Sequence, residues 1–321
     1  MSSKQRLFNC LALAAIMLAS TSCYREMDLD KYRDDPGRDV LTLNAVECPD
    51  SSVTLMATAT YFFSDKHLER SYVDSLAPQL TVGGKPCGVM TYKADRHLYF
   101  APVRPQEGDV IDIQVAYKGR TVTVTDTVPR RCRIDSVRYL VQSPVHVYND
   151  NDKLITYYIS FTDPAGEPNY YFFQFGPPSR LEEPFMGERR FKQEYVFQQL
   201  ANVVSKYQPQ WEPYSPYGLP FTDEGIDGQH HTLVVQEVVD ANSAAFTWPS
   251  LPRKFQLYAI SQSYYRYMLS NLFISGSTSM GNAMIDLGVA EPQAVYTNVQ
   301  GGTGIMGCYV EDKVSLTVAA K

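Results

Sequence analysis

DVIDIQVAYKGRTVTVTDTV, Asp109 to Val128, is the segment from which the architecture can be read. Its apolar residues recur at every second position, the period of a strand with one buried face. Lys118 and Gly119 interrupt the pattern, so Asp109–Tyr117 is expected to fold back on Thr121–Val128. Thr121-Val-Thr-Val-Thr125 is β-branched throughout, which restricts side-chain rotamers in a helix and suits a pleated strand.

The same short-range alternation extends towards the N-terminus. Strands are expected at Val40–Val46 and Val53–Tyr61, separated by Pro49-Asp50-Ser51-Ser52. Further strands follow at Gln79–Val82, then after Gly83-Gly84 at Val89–Tyr92, and at His97–Pro102. Seven short strands in about 90 residues predict an antiparallel sandwich of immunoglobulin-like or transthyretin-like kind over residues 40–129. Pro129 with Arg130, Arg131 and Arg133 marks a boundary, beyond which residues 133–321 form a larger β-rich domain with one or two helices. Its expected strands are Ile134–Val141, Ile155–Phe161, Asn169–Phe175 with aromatics on both faces, Thr232–Val239, Lys254–Ser261 and Gly307–Ala319. Helices are expected at Phe191–Tyr207 and Gln262–Phe273, the latter from the spacing of Tyr264, Tyr267, Met268 and Leu272. The fold class is therefore mainly β, with two sandwich-like domains.

The first 22 residues have the layout of a secretory signal: Lys4 and Arg6, an apolar run from Leu7 to Ala19, then Ser20, Thr21 and Ser22. Cys23 follows directly, as a bacterial lipoprotein signal requires, because its thiol takes a diacylglycerol before cleavage exposes it as the new N-terminus. Residues 1–22 are read as removed and Cys23 as the lipid anchor, completed by an amide-linked acyl chain such as palmitate. The competing readings are a plain secretory signal cut near Ser22 and a retained helix. The apolar run of 13 residues is short of the ~20 that span a bilayer. Residues 23–39 carry Glu26, Asp28, Asp30, Asp34, Asp35 and Asp39 and read as an acidic tether.

Loss of the leader removes Lys4 and Arg6, taking the 29 basic residues to 27 against 35 acidic ones. This net negative body lacks the clustered basic surface that nucleic acid demands. No later stretch has 18 consecutive apolar residues, so attachment is expected through lipid alone, for which two or more chains suffice. Cys48, Cys87, Cys132 and Cys308 permit three disulfide connectivities, and their wide spacing does not suit zinc. One disulfide among the first three, with Cys308 free and buried, is one arrangement left open.

Gly302, Gly304 and Gly307 spell G-x-G-x-x-G, but a dinucleotide site needs a helix and a distant acidic residue after it, and only a strand follows. A tight loop with backbone close to backbone is expected instead. The five histidines form no H-E-x-x-H, and G-x-S-x-G and S-x-x-K are absent. Asp227, His230 and His231, near Asp223 and Glu224, are the densest titratable cluster, readable as metal ligands or, preferably, as a polar turn leading into a strand. Asp150 and Asp152 lack the rest of a calcium loop. No cofactor and no metal is expected. The candidate ligand-binding feature is the Pro-aromatic loop, with Tyr207, Trp211, Tyr214, Tyr217 and Phe221 among Pro209, Pro213, Pro216 and Pro220. Stiff backbone and broad rings with polar tips suit sugars, peptides or a protein surface, although the same rings would also cover a core.

Asp163-Pro-Ala-Gly166 followed by Asn169-Tyr-Tyr171, Phe221-Thr-Asp223 with Asp227-Gly228, Ile260-Ser-Gln-Ser-Tyr-Tyr265, Glu291-Pro292, Tyr296-Thr-Asn298 and Gly301-Gly-Thr-Gly-Ile-Met-Gly307 resemble, in order and spacing, a Bacteroidota lipoprotein family known as domain of unknown function 4249. The resemblance extends to Gly119-Arg120-Thr121. It implies an outer-membrane lipoprotein, often encoded beside TonB-dependent transporters, and supplies no catalytic residues. The acidic tether likewise resembles the signal that carries such lipoproteins to the outer leaflet. The expectation is a non-enzymatic, surface-exposed accessory of an outer-membrane transporter, capturing a ligand or docking on it. A surface adhesin or structural module is the alternative, and an envelope hydrolase using Asp227, His230 or His231 is the third.

Overall fold

A computed structural model describes residues 39–60, 71–145, 152–177, 188–191, 193–206, 213, 218–239, 250–275 and 294–319. The leader, Cys23 and the tether up to residue 38 lie outside these. The chain divides into two units, 1–39 with 61–66 and Val40–Thr60 with His67–Lys321; the strands and helices described all belong to the second.

The opening hairpin forms as its pattern requires. Strand β7 (Val110–Tyr117) pairs antiparallel with β8 (Arg120–Thr127), and Lys118 and Gly119 both take positive φ, 46° and 76°, in the two-residue turn. Ile111, Ile113, Val115, Val122 and Val124 point inward at 1% exposure or less. With β3 (Gln79–Val82), β4 (Lys85–Val89) and the short β16 (Val299–Gln300), they build a five-stranded sheet ordered β16-β8-β7-β3-β4. Facing it are β1 (Leu41–Glu47), β2 (Val53–Ala59), β5 (Thr91–Lys93) and β6 (Leu98–Ala101). The chain changes sheets at Met90, whose side chain is 2% exposed, so the single strand expected at Val89–Tyr92 is broken there.

Beyond Pro129 come β9 (Ile134–Val145), β10 (Asp152–Thr162), β11 (Tyr170–Gly176), β12 (Glu188–Arg190), helix α1 (Tyr195–Val204), β13 (Leu219–Thr222), β14 (His230–Val239), β15 (Ser250–Ile260), helix α2 (Gln262–Ser275) and β17 (Thr303–Ala319). A four-stranded sheet is ordered β12-β14-β10-β9, and an eight-stranded sheet β13-β11-β15-β17-β1-β2-β6-β5. The large sheet therefore crosses the expected boundary at 129–133. Strand β17 makes the join, pairing parallel with β1 over Thr303–Cys308 and antiparallel with β15 over Tyr309–Ala319. The protein is mainly β with several sheets, and neither described helix is long and apolar enough to cross a membrane.

Two apolar cores result. The first joins β1, β2, β3, β6, β7 and β8 with Met306, Cys308 and Val310 of β17. The second is aromatic, with Tyr157, Phe161, Tyr171, Phe173, Phe175, Phe191, Phe197, Phe221 and Phe255 each at 1% exposure or less. Each such ring contributes on the order of 1.5–3 kcal/mol by leaving water. Amphipathic α1 sends Val196, Phe197, Leu200 and Val204 into this core.

Two expectations are corrected. Gly304 lies within β17 rather than in a loop, because that strand starts at Thr303, four residues before the Gly307 at which it was expected to begin. Backbone does approach backbone at Gly304, where a Cβ would stand 2.0 Å from the Leu43 carbonyl oxygen, whereas at Gly307 a Cβ would meet the Tyr264 ring at 2.6 Å. The end of the Pro-aromatic loop is strand β13, where Pro220 is accommodated because β13 is an edge of its sheet. All four described cysteines are free: Cys48, Cys132 and Cys308 are buried, whereas Cys87 lies on β4, an edge strand with every residue exposed.

Candidate functional site

Two turns at one end of the second core bring together most of the polar motif residues. The turn after β10 carries Asp163, and the segment between β13 and β14 carries Asp223 and Asp227; one oxygen from each lies within 4.8 Å of the other two. Asp163 accepts the Tyr171 hydroxyl and, at 2.9 Å, the Gly228 amide. Asp223 accepts the Asn169 amide at 2.7 Å, and Asp227 the Gly166 amide at 2.9 Å. Each carboxylate thus ties its own turn to the other one. Gly228, at φ 66°, comes so close to Ala165 that a Cβ there would meet the Ala165 methyl at 2.6 Å. Burial raises the Asp163 carboxyl above its ordinary value, and the charges of Asp223 and Asp227 raise it further, while the Tyr171 and Gly228 hydrogen bonds pull it down. Burial likewise pushes the Tyr171 hydroxyl up. These are the carboxylates among the described residues that could hold a cation, and their hydrogen bonds already give them a structural task. Asp163 was absent from the cluster anticipated in the sequence, although its D-P-A-G turn was visible there.

The histidines go elsewhere. His230 Nδ1 lies 3.4 Å from Asp135 and 3.2 Å from the Thr162 hydroxyl. His231 Nε2 lies 2.9 Å from Glu194 Oε1, while Glu194 Oε2 accepts the Val234 amide at 2.6 Å. Glu194, only 3% exposed, satisfies the edge of β14 just past the residues that β12 pairs, so the His231–Glu194 contact belongs to sheet closure. Asp152 opens β10 with no exposed surface, and Asp150 lies outside the described residues.

A second feature lies on the outward face of the large sheet, beside α2. In register, Phe172 of β11 stands opposite Tyr258 of β15, and Gln174 opposite Gln256. Tyr309, Glu311 and Lys313 continue the face on β17. The Tyr258 ring centroid is 5.8 Å from that of Phe172 and 5.7 Å from that of Tyr309. Gln174 Nε2 donates to Gln256 Oε1 at 3.1 Å and to the Tyr258 hydroxyl at 3.0 Å. Gln256 Nε2 donates to the same hydroxyl at 2.7 Å and to Glu311. Lys254 and Lys313 flank Glu311 at 3.9 and 3.8 Å. The Tyr258 hydroxyl is pushed up to about 12 by burial and by the Glu311 charge. Along the α2 side, Tyr265 lies 5.1 Å from Tyr170, whose hydroxyl accepts from Gln262 at 2.7 Å. Half-buried rings with fixed amides and charges form a platform able to stack on a ligand and hydrogen-bond it. The sequence signal was the aromatic and amide residues alternating along β11, β15 and β17, which requires knowing the strand order to assemble.

Among the expected ligand contacts, Phe221 is a core residue, 1% exposed and packed against Tyr171, Phe161 and Phe197 at 5.1, 6.3 and 5.5 Å. Tyr207, Trp211, Tyr214 and Tyr217 lie outside the described residues, as does Cys23.

Fold and surface together define a class: a mainly β protein of several sheets, joined by one long sheet whose outer face carries an aromatic–amide platform. The chain belongs to the family described as Domain of unknown function (DUF4249), whose model matches residues 37–315. No curated protein matches it.

Proposed function

We propose that this chain is a Bacteroidota outer-membrane lipoprotein, anchored through Cys23 and exposed at the surface, that serves a TonB-dependent transporter as a non-enzymatic accessory. Its two cores are read as two sandwich modules sharing the eight-stranded sheet, and its task as ligand capture or docking. The observation that carries the capture reading is the platform of Phe172, Tyr258 and Tyr309 with Gln174, Gln256 and Glu311, presented on a rigid sheet. The signal layout before Cys23 and the acidic tether support the address. The separate partners of Asp227, His230 and His231 speak for a non-enzymatic body.

Replacing Cys23 by Ala should move the protein from membrane to soluble fractions, because one thiol carries the lipid; persistent detergent dependence would sink the anchor. Affinity purification from solubilised outer membrane should recover a TonB-dependent transporter, and its absence would count against the accessory role. The adhesin reading is favoured by one feature, the wholly exposed edge strand β4, which could accept a strand from another chain. Concentration-dependent self-association, abolished by a proline in β4, would favour it.

A further inference from the structure

Glu47 ends β1 with none of its surface exposed. Its Oε1 accepts the Thr54 amide at 3.0 Å and the Thr54 hydroxyl at 3.5 Å, whereas Oε2 has no partner among the described residues. In register it stands opposite Cys308, at the last pair of the parallel β1–β17 ladder. That ladder is the seam of the large sheet, with β13, β11, β15 and β17 on one side and β1, β2, β6 and β5 on the other. Parallel pairing is slightly weaker per residue than antiparallel pairing, so this is a natural line of opening.

The titratable groups around the seam are Asp126 of β8, Cys308 and Tyr309 of β17, and Cys48 next to Glu47 in the chain. Asp126 Oδ2 accepts the Cys308 amide at 2.9 Å and the hydroxyl of Ser261, the residue preceding α2. Arg131, which reaches β17 at the Glu311 carbonyl, is paired with Glu107 and Asp50. An anion at Glu47 would leave one oxygen without a donor among the described residues at a position with no exposed surface, whereas the neutral acid avoids that cost. Burial accordingly pushes the Glu47 carboxyl up to about 8, against which the Thr54 hydrogen bonds act. Burial raises Asp126 and Cys308 as well.

We propose that Glu47 is a proton-gated clasp: protonated, it lets β1 close on β17, and loss of its proton opens the seam between the two halves of the large sheet. Opening exposes the carboxyl and returns it to its ordinary 4.5. Between that value and about 8, opening therefore releases one proton, and the opening constant rises about tenfold per pH unit, levelling off above. The seam is tightest below the ordinary value and loses that protection as pH rises towards the raised one.

The test is amide hydrogen exchange of the whole protein from pH 5 to 9, corrected for intrinsic rates. Amides of residues 41–47 and 303–308 should lose about tenfold protection per unit up to about pH 8, exchanging ahead of those in 155–161 and 233–235. Glu47→Gln, which keeps the acceptor for Thr54, should flatten the profile, and the Glu47 carboxyl signal in NMR should titrate near 8. Three results would overturn the proposal. One is an unchanged slope in Glu47→Gln, or its loss in Asp126→Asn alone, which would assign the gate to Asp126. Another is equal exchange of seam and second-core amides, which would couple the proton to whole-body unfolding. The third is a Glu47 carboxyl that titrates near 4.5 in the wild type, a measurement that needs no variant.

Discussion

Glu237→Gln tests how the second core is bolted together. Glu237 on β14 and Arg253 on β15 lie on opposite sheets, exposed by 0% and 1%. Arg253 Nε and Nη2 donate to the two Glu237 oxygens at 2.9 and 2.8 Å, its Nη1 donates to the Pro252 carbonyl at 2.9 Å, and the Tyr157 hydroxyl donates to Glu237 at 2.8 Å. The substitution preserves shape but removes the charge that Arg253 Nε and Nη2 both face, beside a guanidinium that is almost fully buried. Loss of one partner from a buried pair costs about 3–5 kcal/mol, because the other charge cannot regain water. Urea unfolding with a slope of about 3 kcal/mol per M should show the midpoint falling by about 1–1.7 M with the slope unchanged. The double variant Glu237→Leu/Arg253→Met should recover most of this loss, since an apolar pair of similar volume does not pay for desolvation. A Glu237→Gln midpoint within about 0.3 M of wild type, roughly 1 kcal/mol, would refute the argument.

Phe221→Ala should cost about 3–5 kcal/mol in the same assay, since its ring fills the aromatic core; unchanged stability would favour the alternative reading of the residue as a ligand contact. Gly304→Ala forces a methyl onto the Leu43 carbonyl oxygen at φ 107° and should cost at least ~2 kcal/mol, read as a lowered melting temperature; wild-type melting would mean that β1 and β17 are not so closely paired. Tyr258→Ala should weaken capture of sugars or peptides found by screening the unlipidated protein, by on the order of 1–2 kcal/mol at constant melting temperature. A fall in melting temperature without loss of binding would make the ring a packing element.

The β7–β8 hairpin was readable because its information is local: alternation chooses the buried face, and a turn requiring positive φ at Lys118 and Gly119 sets the register. Helix α2 followed from its own periodicity in the same way. Pro220 misled because proline excludes a central strand but tolerates an edge, and a segment does not reveal which it will be. Phe221 reads from the sequence as a candidate ligand contact or as core cover, because an aromatic among prolines looks alike whether it faces solvent or a core, and the structure gives the second. The carboxylate cluster was half visible, as Asp223 and Asp227 are neighbours in the chain, whereas Asp163 joins them only because β10 and β14 are paired.

By itself, then, the sequence determined the strand-rich class, the hairpins, the two helices and the residues on which the expected lipid anchor depends, all of which rest on spacings of a few residues. Only the tertiary structure decided that β17 would serve two cores, that the motif carboxylates would staple turns, and that Phe172, Tyr258 and Tyr309 would share one face. It also placed the single acid Glu47 opposite Cys308, 261 positions later in the chain. The physical reason is common to all four: burial and pairing are properties of contacts between distant segments, and a side chain's solvation, charge and accessibility are set by those contacts rather than by its neighbours along the backbone.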